Sequence, residues 1–154
     1  MKIAILTFIS FFMLLSCHND DCNSSEDTTF VPRNITPVLI GKGNLNFVGD
    51  IPSQQITVDD NDSWNTILNS VDEYSLEEFT ETTVNFNEFQ LIAVFDTVYG
   101  DRGHSITITT ITENRSNITV TVEKSYTPAF LIELRQPFHI VKIPKSYKPV
   151  VFQE

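Results

Sequence analysis

The apolar side chains of this chain change their spacing along its length, and each spacing predicts a different element. Residues 3–15 are predominantly apolar, whereas the next twenty or so residues are rich in Asn, Asp, Ser and Thr. The rest of the chain alternates between helical and strand-like periods. This order predicts a targeting signal at residues 1–16, a flexible tether at residues 17–37 and one folded domain at residues 38–154.

A helical period occurs in the middle of the predicted domain. Its apolar residues recur at i, i+3, i+4 and i+7 and form one stripe on a helix, consisting of Trp64, Ile67, Leu68 and Val71. Asp62 or Ser63 is expected to supply the N-cap oxygen. A second, shorter helix is expected to begin at Ser75, because Ser75 and Glu78 have the spacing of a capping box.

Strand-like segments account for most of the remaining domain. Residues 90–97 are apolar almost throughout, which predicts a central strand covered on both faces. Residues 105–113 and 118–124 alternate apolar with polar side chains, which predicts a hairpin with one face in water. We expect an α+β fold, a mainly antiparallel β-sheet or small β-roll of about six or seven strands with one packed helix, which contains Trp64. The other strands are expected at residues 38–45, 55–58, 137–144 and 149–152.

Glycine, proline and histidine refine two of these strands. Gly41 and Gly43 weaken the first strand or mark a bulge in it. Pro137 and Pro144 flank the strand at residues 137–144, which favours ends that lie at a sheet edge. His139 alternates with apolar neighbours in that strand, so its ring is expected to point to solvent.

The N-terminal apolar run ends at a cysteine. It is too short to span a bilayer, which takes about 20 apolar residues. Residues 14–17 read Leu-Leu-Ser-Cys and resemble the lipobox of bacterial lipoproteins. The resemblance implies a lipid on Cys17 that attaches the mature chain to a membrane; the alternative is an ordinary secretory signal with an incidental cysteine. Asp20 and Asp21 resemble the signal that sorts lipoproteins of the Bacteroidota to the outer face of the outer membrane.

Two further residues of the predicted tether are candidates for modification. Residues 27–29 read Asp-Thr-Thr and resemble the O-glycosylation acceptor of the same phylum, with Thr28 as the modified residue. A plain solvated linker is the alternative. Cys22 has no cysteine in the domain to pair with, so it is either a free thiol or part of an intermolecular disulfide.

Charge and histidine content exclude several classes of function. The formal net charge of −10 argues against binding to the phosphate backbone of a nucleic acid. The three histidines lie in separate segments without metal-ligand spacing, so we expect no metal and no cofactor. Ser105 follows His104, but neighbours on a strand point to opposite faces and cannot form a catalytic pair. We therefore expect no enzymatic activity.

Three blocks of sequence, in this order, resemble the C-terminal domain of the PrcB family of protease-complex subunits. They are residues 63–68, residues 84–95 with a loop to Gly103, and residues 136–143 leading into residues 150–152. The loop of the family usually ends on Gly-Gly-aromatic, whereas here Arg102 replaces one glycine and His104 replaces the aromatic residue. The resemblance implies a non-catalytic, surface-anchored accessory subunit that assists or stabilises a protease partner.

The loop at residues 98–104 is the candidate partner-binding site. Its candidate contacts are Tyr99, which is expected to be exposed, Asp101, Arg102 and His104, since tyrosine and arginine are enriched in binding hot spots. The alternative is a plain hairpin turn whose glycines adopt positive φ. Residues 126–132 form a second candidate, an apolar connection that is either exposed or closes the core.

Two other functions are consistent with the sequence. One is a protease inhibitor that inserts the same loop into the partner's cleft. The other is a structural or glycan-binding surface lipoprotein. Glycan binding predicts a flat aromatic platform, with Tyr99, Tyr126 and Tyr147 side by side on one exposed face.

Overall fold

The structure, a computed structural model, describes residues 29–46 and 51–154. The predicted signal at residues 1–16 and the candidate modification sites Cys17, Cys22 and Thr28 lie outside these residues. Neither helix in the described part of the chain has the length and apolarity that crossing a membrane requires.

Nine strands and two helices make up the described part of the chain, and the expected α+β class is confirmed. The helices are α1 (Asn61–Ser70) and α2 (Glu73–Leu76). The strands are β1 (Arg33–Asn34), β2 (Val38–Leu45), β3 (Gln54–Val58), β4 (Phe89–Phe95), β5 (Tyr99–Asp101), β6 (His104–Glu113), β7 (Ile118–Tyr126), β8 (Ile132–Pro144) and β9 (Val150–Gln153).

The strands form two sheets. The first has the order β2-β8-β4-β3, and β5 pairs with the beginning of β8. The second has the order β1-β6-β7-β9. All pairs are antiparallel except β7 with β9, which is parallel. The expected count of six or seven strands was too low because β1 and β5, with two and three residues, are too short to leave a period in the sequence.

Two apolar cores lie on opposite faces of the first sheet. Leu91, Ala93 and Phe95 of β4 belong to the core that includes Trp64 and Ile67 of α1. Ile92 and Val94 point the other way, into a core shared with the inner faces of β6 and β7. The prediction that residues 90–97 form a central strand covered on both faces is therefore confirmed, because every residue of β4 after Phe89 is buried.

The predicted hairpin is present as β6 and β7, with buried residues alternating along both strands until the pattern ends after Val122. The expected bulge in β2 is also present, where the register with β8 shifts between Leu39 and Gly41. A Cβ atom at Gly41 would lie about 2.9 Å from the ring of Phe79, so the close packing of that ring requires glycine.

The helix boundaries differ from the sequence expectation. Asp60, rather than Asp62 or Ser63, caps α1, because its Oδ1 accepts a hydrogen bond from the Ser63 N–H at 2.8 Å. Asp72, rather than Ser75, caps α2, and its carboxylate accepts from both the N–H and the hydroxyl of Ser75. In both cases an aspartate three residues upstream reaches the free N–H with a charged oxygen, which competes successfully with the serine.

The last part of the predicted tether is ordered on the second sheet. Arg33 and Asn34 pair with the end of β6. The N–H of Ile35 donates to the carbonyl of Ile111 at 2.8 Å, and the Ile35 side chain packs against the core between the sheets. The polar composition of this segment did not reveal the pairing, because β6 offers a free edge whose backbone groups need partners.

Two expectations about β8 were wrong. Pro137 lies inside the strand, which begins five residues earlier, and its carbonyl accepts from the Asp96 N–H at 2.9 Å. His139 is buried rather than solvent-facing, because the second sheet covers the face of β8 on which it lies. Its Nδ1 accepts a hydrogen bond from the Ile108 N–H of β6 at 2.8 Å.

Candidate functional site

The loop at residues 98–104 contains a short strand rather than a free turn. Tyr99 of β5 pairs with Arg135 of β8, and Asp101 pairs with Ile132. This two-stranded extension continues beyond the ends of β4 and β2, which stop opposite Phe138 and Gln136. The backbone of the candidate site is thus held by a main-chain ladder, which favours a rigid binding surface.

Three rings stack at the base of the extension, and we call them the Tyr–His–Tyr stack. The rings of Tyr99 and His104 are nearly parallel, with centroids 3.5 Å apart. The ring of Tyr126 lies on the other side, with its centroid 4.5 Å from that of His104. Tyr99 was expected to be exposed but is half-buried, since His104 covers its face.

The hydroxyl of Tyr99 binds inward. It donates to Oδ2 of Asp96 at 3.1 Å, and Asp96 is buried. Burial of the phenol raises the pKa of Tyr99, and the hydrogen bond to the Asp96 carboxylate raises it further. The ammonium of Lys124 lies 3.3 Å from the other Asp96 oxygen, which gives the buried carboxylate a counter-charge. Tyr99 therefore supports the site from below, and only part of its ring is available to a partner.

Asp101 and Gly103 shape the turn between β5 and β6. Oδ1 of Asp101 accepts from the Gly103 N–H at 2.6 Å, and Oδ2 lies 4.0 Å from Nε2 of His104. None of the described glycines has a positive φ, so the turn does not use glycine for that purpose. Gly103 is needed for space, because a Cβ atom there would collide with the carbonyl oxygen of Thr127, whose N–H donates to the Gly103 carbonyl.

Arg102 is joined to β8 through Glu133. Nε of Arg102 lies 2.8 Å from Oε2 of Glu133, while Oε1 of the same carboxylate accepts from Nη2 of Arg135 at 2.5 Å. Hydrogen bonding from Arg135, followed by the charge of Arg102, lowers the pKa of Glu133. The Arg102 side chain is half-exposed, whereas Arg135 is almost completely buried. Arg102 is the more accessible of the two cations.

The structure decides between the two alternatives for the 126–132 connection. It is exposed and does not close the core. Phe130 is fully exposed, and the exposed fractions of Ile132 and Leu134 are 92% and 61%. Leu131 is also more than half exposed. We call Phe130, Leu131, Ile132 and Leu134 the apolar segment. Its apolar character is evident from the residue types, whereas its exposure depends on where the covering layers end.

The candidate site residues fall into one neighbourhood. The stack contains Tyr99 and His104, Asp101 forms the turn, and Arg102 reaches Glu133 on β8, the strand that carries two residues of the apolar segment, Ile132 and Leu134. The stack also includes Tyr126, at the end of β7. Sequence reasoning missed Glu133, Leu134 and Arg135, since it started the late strand at residue 137.

Chemical groups elsewhere in the fold are used for packing and pairing. Residues 29–46 and 51–154 hold no group of three or more His, Cys, Asp or Glu side chains that could bind a metal ion. The hydroxyl of Ser105 pairs with that of Ser125 at 2.7 Å. Burial, with the nearby Lys42 charge, lowers the pKa of His139 to about 4. This ring stays neutral at physiological pH and serves as a buried acceptor.

The three tyrosines of the expected aromatic platform do not lie together. Tyr147 lines a cavity with Gln90, at the beginning of β4, whereas Tyr99 binds Asp96, just past the end of that strand. These two points are about 20 Å apart along an extended chain. Tyr99 and Tyr126 flank His104 instead.

Comparisons of the chain with protein-family models, with curated proteins and with solved structures give no match.

Proposed function

We propose that this chain is a lipid-anchored, non-catalytic protein of the bacterial outer membrane that binds a protein partner through the apolar segment. The observation that carries the proposal is the exposure of Phe130, Leu131, Ile132 and Leu134 beside the Tyr–His–Tyr stack. Clustered exposed apolar side chains of this size mark interaction sites in soluble domains. Each would contribute about 1.5–3 kcal/mol if a partner buried it.

Some residues of the proposed surface contact the partner, and others hold the surface in shape. Phe130 and Tyr126 are the exposed aromatic anchors, and Arg102 supplies a charged rim. Tyr99 and Asp101 hold the extension in shape, through Asp96 and the Gly103 turn. A pre-shaped surface of this kind loses little conformational entropy when it binds.

A protein is a better occupant of the apolar segment than a lipid surface. The chain has a formal net charge of −10, which opposes approach to anionic lipid headgroups. The sequence likeness to PrcB-type domains suggests a protease as the partner, with this chain as its accessory or stabilising subunit.

Site-specific photo-crosslinking tests the proposal. A benzophenone amino acid replaces Phe130 in the full chain, expressed in the native cell, and a matched chain carries it at Tyr147, which is equally exposed but lies at the other end of β4. We expect one discrete protein adduct from position 130 and none from position 147. Equal labelling from both positions, or lipid adducts alone from position 130, would refute the assignment.

The adduct also identifies the class of partner. Labelling with an active-site probe for proteases distinguishes a protease from other proteins. An accessory subunit raises the yield of active protease when it is co-expressed, whereas an inhibitor lowers the activity of protease that is already folded. The effect should disappear in Phe130→Ser and persist in Tyr147→Ser.

The lipid anchor is tested separately from the partner. Cys17→Ser removes the only acceptor for the diacyl group that we propose. We expect the protein to leave the outer-membrane fraction and to keep its signal peptide, which the mass of the precursor would show. Unchanged membrane partitioning and processing would contradict the anchor while leaving the partner surface unaffected.

A further inference from the structure

One side of β8 has no neighbouring strand beyond the end of β2, among the residues that the structure describes. β2 pairs with β8 as far as Leu45, which lies opposite Gln136. The next residue turns away from the sheet, because the N–H of Asn46 donates to the hydroxyl oxygen of Ser75 at 3.2 Å. β5, which follows β4 in the chain, pairs with the other side of β8. Residues 132–135 of β8 therefore form an edge on the side where β2 has ended.

The backbone of Leu134 faces this edge. The carbonyl of Pro137 accepts from the Asp96 N–H, so the backbone of Pro137 points toward β4. Backbone groups alternate between the two sides of an antiparallel strand. Those of Arg135 therefore point toward β5, with which this residue pairs, and those of Leu134 point toward the edge. N–H and C=O groups on a sheet edge are a template for another strand.

The two faces of β8 differ beside the edge. Ile132 and Leu134 are two residues apart and both are exposed, so they share one face. Glu133 and Arg135 share the other face, where the carboxylate of Glu133 accepts from the guanidinium of Arg135. A strand added here would meet apolar side chains on one face and charged side chains on the other.

The charged face has an excess of accessible positive charge. A cavity of about 350 Å³ lies there, lined by Arg102 and Arg135, which both bind Glu133, and by Lys42 and Glu78. The side chain of Arg102 is half-exposed. Lys42 is exposed and is in no ion pair within residues 29–46 and 51–154. Three cations thus face two carboxylates in an otherwise acidic chain, so this face favours a carboxylate.

We infer that the edge at Leu134 pairs with an extended segment of the partner protein in which apolar and acidic residues alternate. Main-chain hydrogen bonds to Leu134 give the segment part of its affinity. Its apolar side chains pack on Ile132 and Leu134, and its carboxylates lie on the other face, near Arg102 and Lys42. The inference rests on the proposed function, because the segment belongs to the protein that contacts Phe130.

A second copy of this chain fits the edge less well than a different protein does. Pairing of two copies around Leu134 by a two-fold axis would bring the same face of each copy to the same side. Arg102 of one copy would then lie beside Arg102 of the other. Each copy also has a formal net charge of −10, which opposes self-association.

Peptide binding to the purified full chain tests the inference, with the backbone amide of Leu134 observed by NMR. The probe is the capped peptide Glu-Val-Glu-Ile-Glu-Val-Glu. One control peptide has lysine in place of every glutamate, and another has the same composition with its glutamates in one block and its apolar residues in another. We expect a saturable shift of the Leu134 amide signal with the alternating acidic peptide, and an affinity about tenfold lower or less for both controls.

Two pairs of variants separate strand pairing from general attraction, with a fluorescent peptide as the readout of affinity. Replacing Leu134 by its α-hydroxy acid keeps the side chain and removes the N–H, and it should weaken binding about three- to tenfold. The same replacement at Tyr147, at the other end of β4, should have no effect. Arg102→Gln should weaken binding about threefold, whereas Arg33→Gln, the same charge change on the second sheet, should not.

Several results would overturn the inference. One is the absence of a saturable Leu134 shift with the alternating acidic peptide. Another is equal binding of the block peptide, or full affinity in the Leu134 ester, since either would show apolar adhesion without strand pairing. A Leu134 signal that moves with protein concentration alone would assign the edge to a second copy. None of these results affects the crosslink from position 130, so the edge can fail while the proposed function stands.

Discussion

Two parts of β8 lie in different surroundings, an uncovered part at residues 132–134 and a covered part at residues 135–143. From Arg135 to Ile143 every side chain except Lys142 is buried, and from Phe138 to Lys142 the strand has β2 and β4 on either side and a core on each face. Ile132 and Leu134, a few residues earlier on the same strand, are mostly exposed. Among the described strands, only the three-residue strand β5 flanks this uncovered part.

The covered part of β8 stabilises the fold, whereas the uncovered part is available for recognition. The covered part contributes its apolar area to folding, since that area leaves water when the layers close. The apolar area of the uncovered part stays available to a partner at little cost to the fold, because β5 and the Glu133 ion pairs hold its shape. A strand that continues past its own core can therefore present a binding surface with a fixed backbone.

The largest loss of stability is expected from a substitution in the covered part of β8. Phe138 is completely buried and packs against Phe79 and Phe95. Phe138→Ala should lower the free energy of unfolding by about 3–5 kcal/mol, because it leaves a cavity among rings that cannot collapse into it. Urea denaturation measures the change. A loss below about 1 kcal/mol would show that the covered part of β8 does not contribute to stability in this way.

A pH-dependent loss of stability is expected at the next residue. His139 has a folded pKa of about 4, well below the value of about 6.5 in an unfolded chain. Between these values the unfolded state binds the proton and the folded state does not, so acid favours unfolding. This residue should cost about 2 kcal/mol of stability between pH 7 and pH 5, and the whole contribution is lost below pH 4.

His139→Gln is the matched variant for this prediction. Glutamine can still offer an oxygen to the Ile108 N–H but has no proton to gain in this range. The difference in unfolding free energy between pH 7 and pH 5 should shrink by about 2 kcal/mol in the variant. An identical pH dependence in both proteins would place His139 in contact with water and contradict its burial between the sheets.

His139 also illustrates which features the sequence could predict. Alternation identifies a strand whose two faces have different surroundings, and β6 and β7 were found on that basis. In β8 both faces are covered, so the alternation of His139 with apolar neighbours carried no information about which side is wet. Pro137 misled for a similar reason, since its place inside the strand depends on the lengths of β2 and β4 and not on its neighbours in sequence.

The candidate site was predicted in part. The segment was found from its glycines and its Tyr and Arg residues, and the structure brings Tyr99 and His104 into one stack. The burial of the Tyr99 hydroxyl against Asp96 could not be predicted, because it depends on a fold-specific contact. The exposure of Phe130 was also hidden, since an apolar residue in a connection is equally compatible with a core.

A smaller loss is expected from the anchor of the extension. Tyr99→Phe removes the hydrogen bond to Asp96 and keeps the ring on His104. The cost should be about 0.5–1.5 kcal/mol, because Asp96 retains the Thr97 N–H and the Lys124 ammonium as partners. Amide hydrogen exchange in β5 should become faster while that in β4 is unchanged. Equal acceleration in both strands would mean that the extension unfolds together with the core.

The smallest change in stability is expected at the other end of the comparison, where Phe130→Ala provides the counterpart of Phe138→Ala. The same chemical change is made at a fully exposed ring and at a fully buried one. Phe130→Ala should alter the free energy of unfolding by less than about 0.5 kcal/mol, since the ring has no buried surface to lose. The urea denaturation curve of this variant should therefore superimpose on that of the unmodified protein. A benzophenone amino acid placed at Leu131 or Ile132 in the same variant should no longer form the adduct with the partner. A destabilisation comparable to that of Phe138→Ala would mean that the apolar segment is packed against the rest of the chain and is not available to a partner.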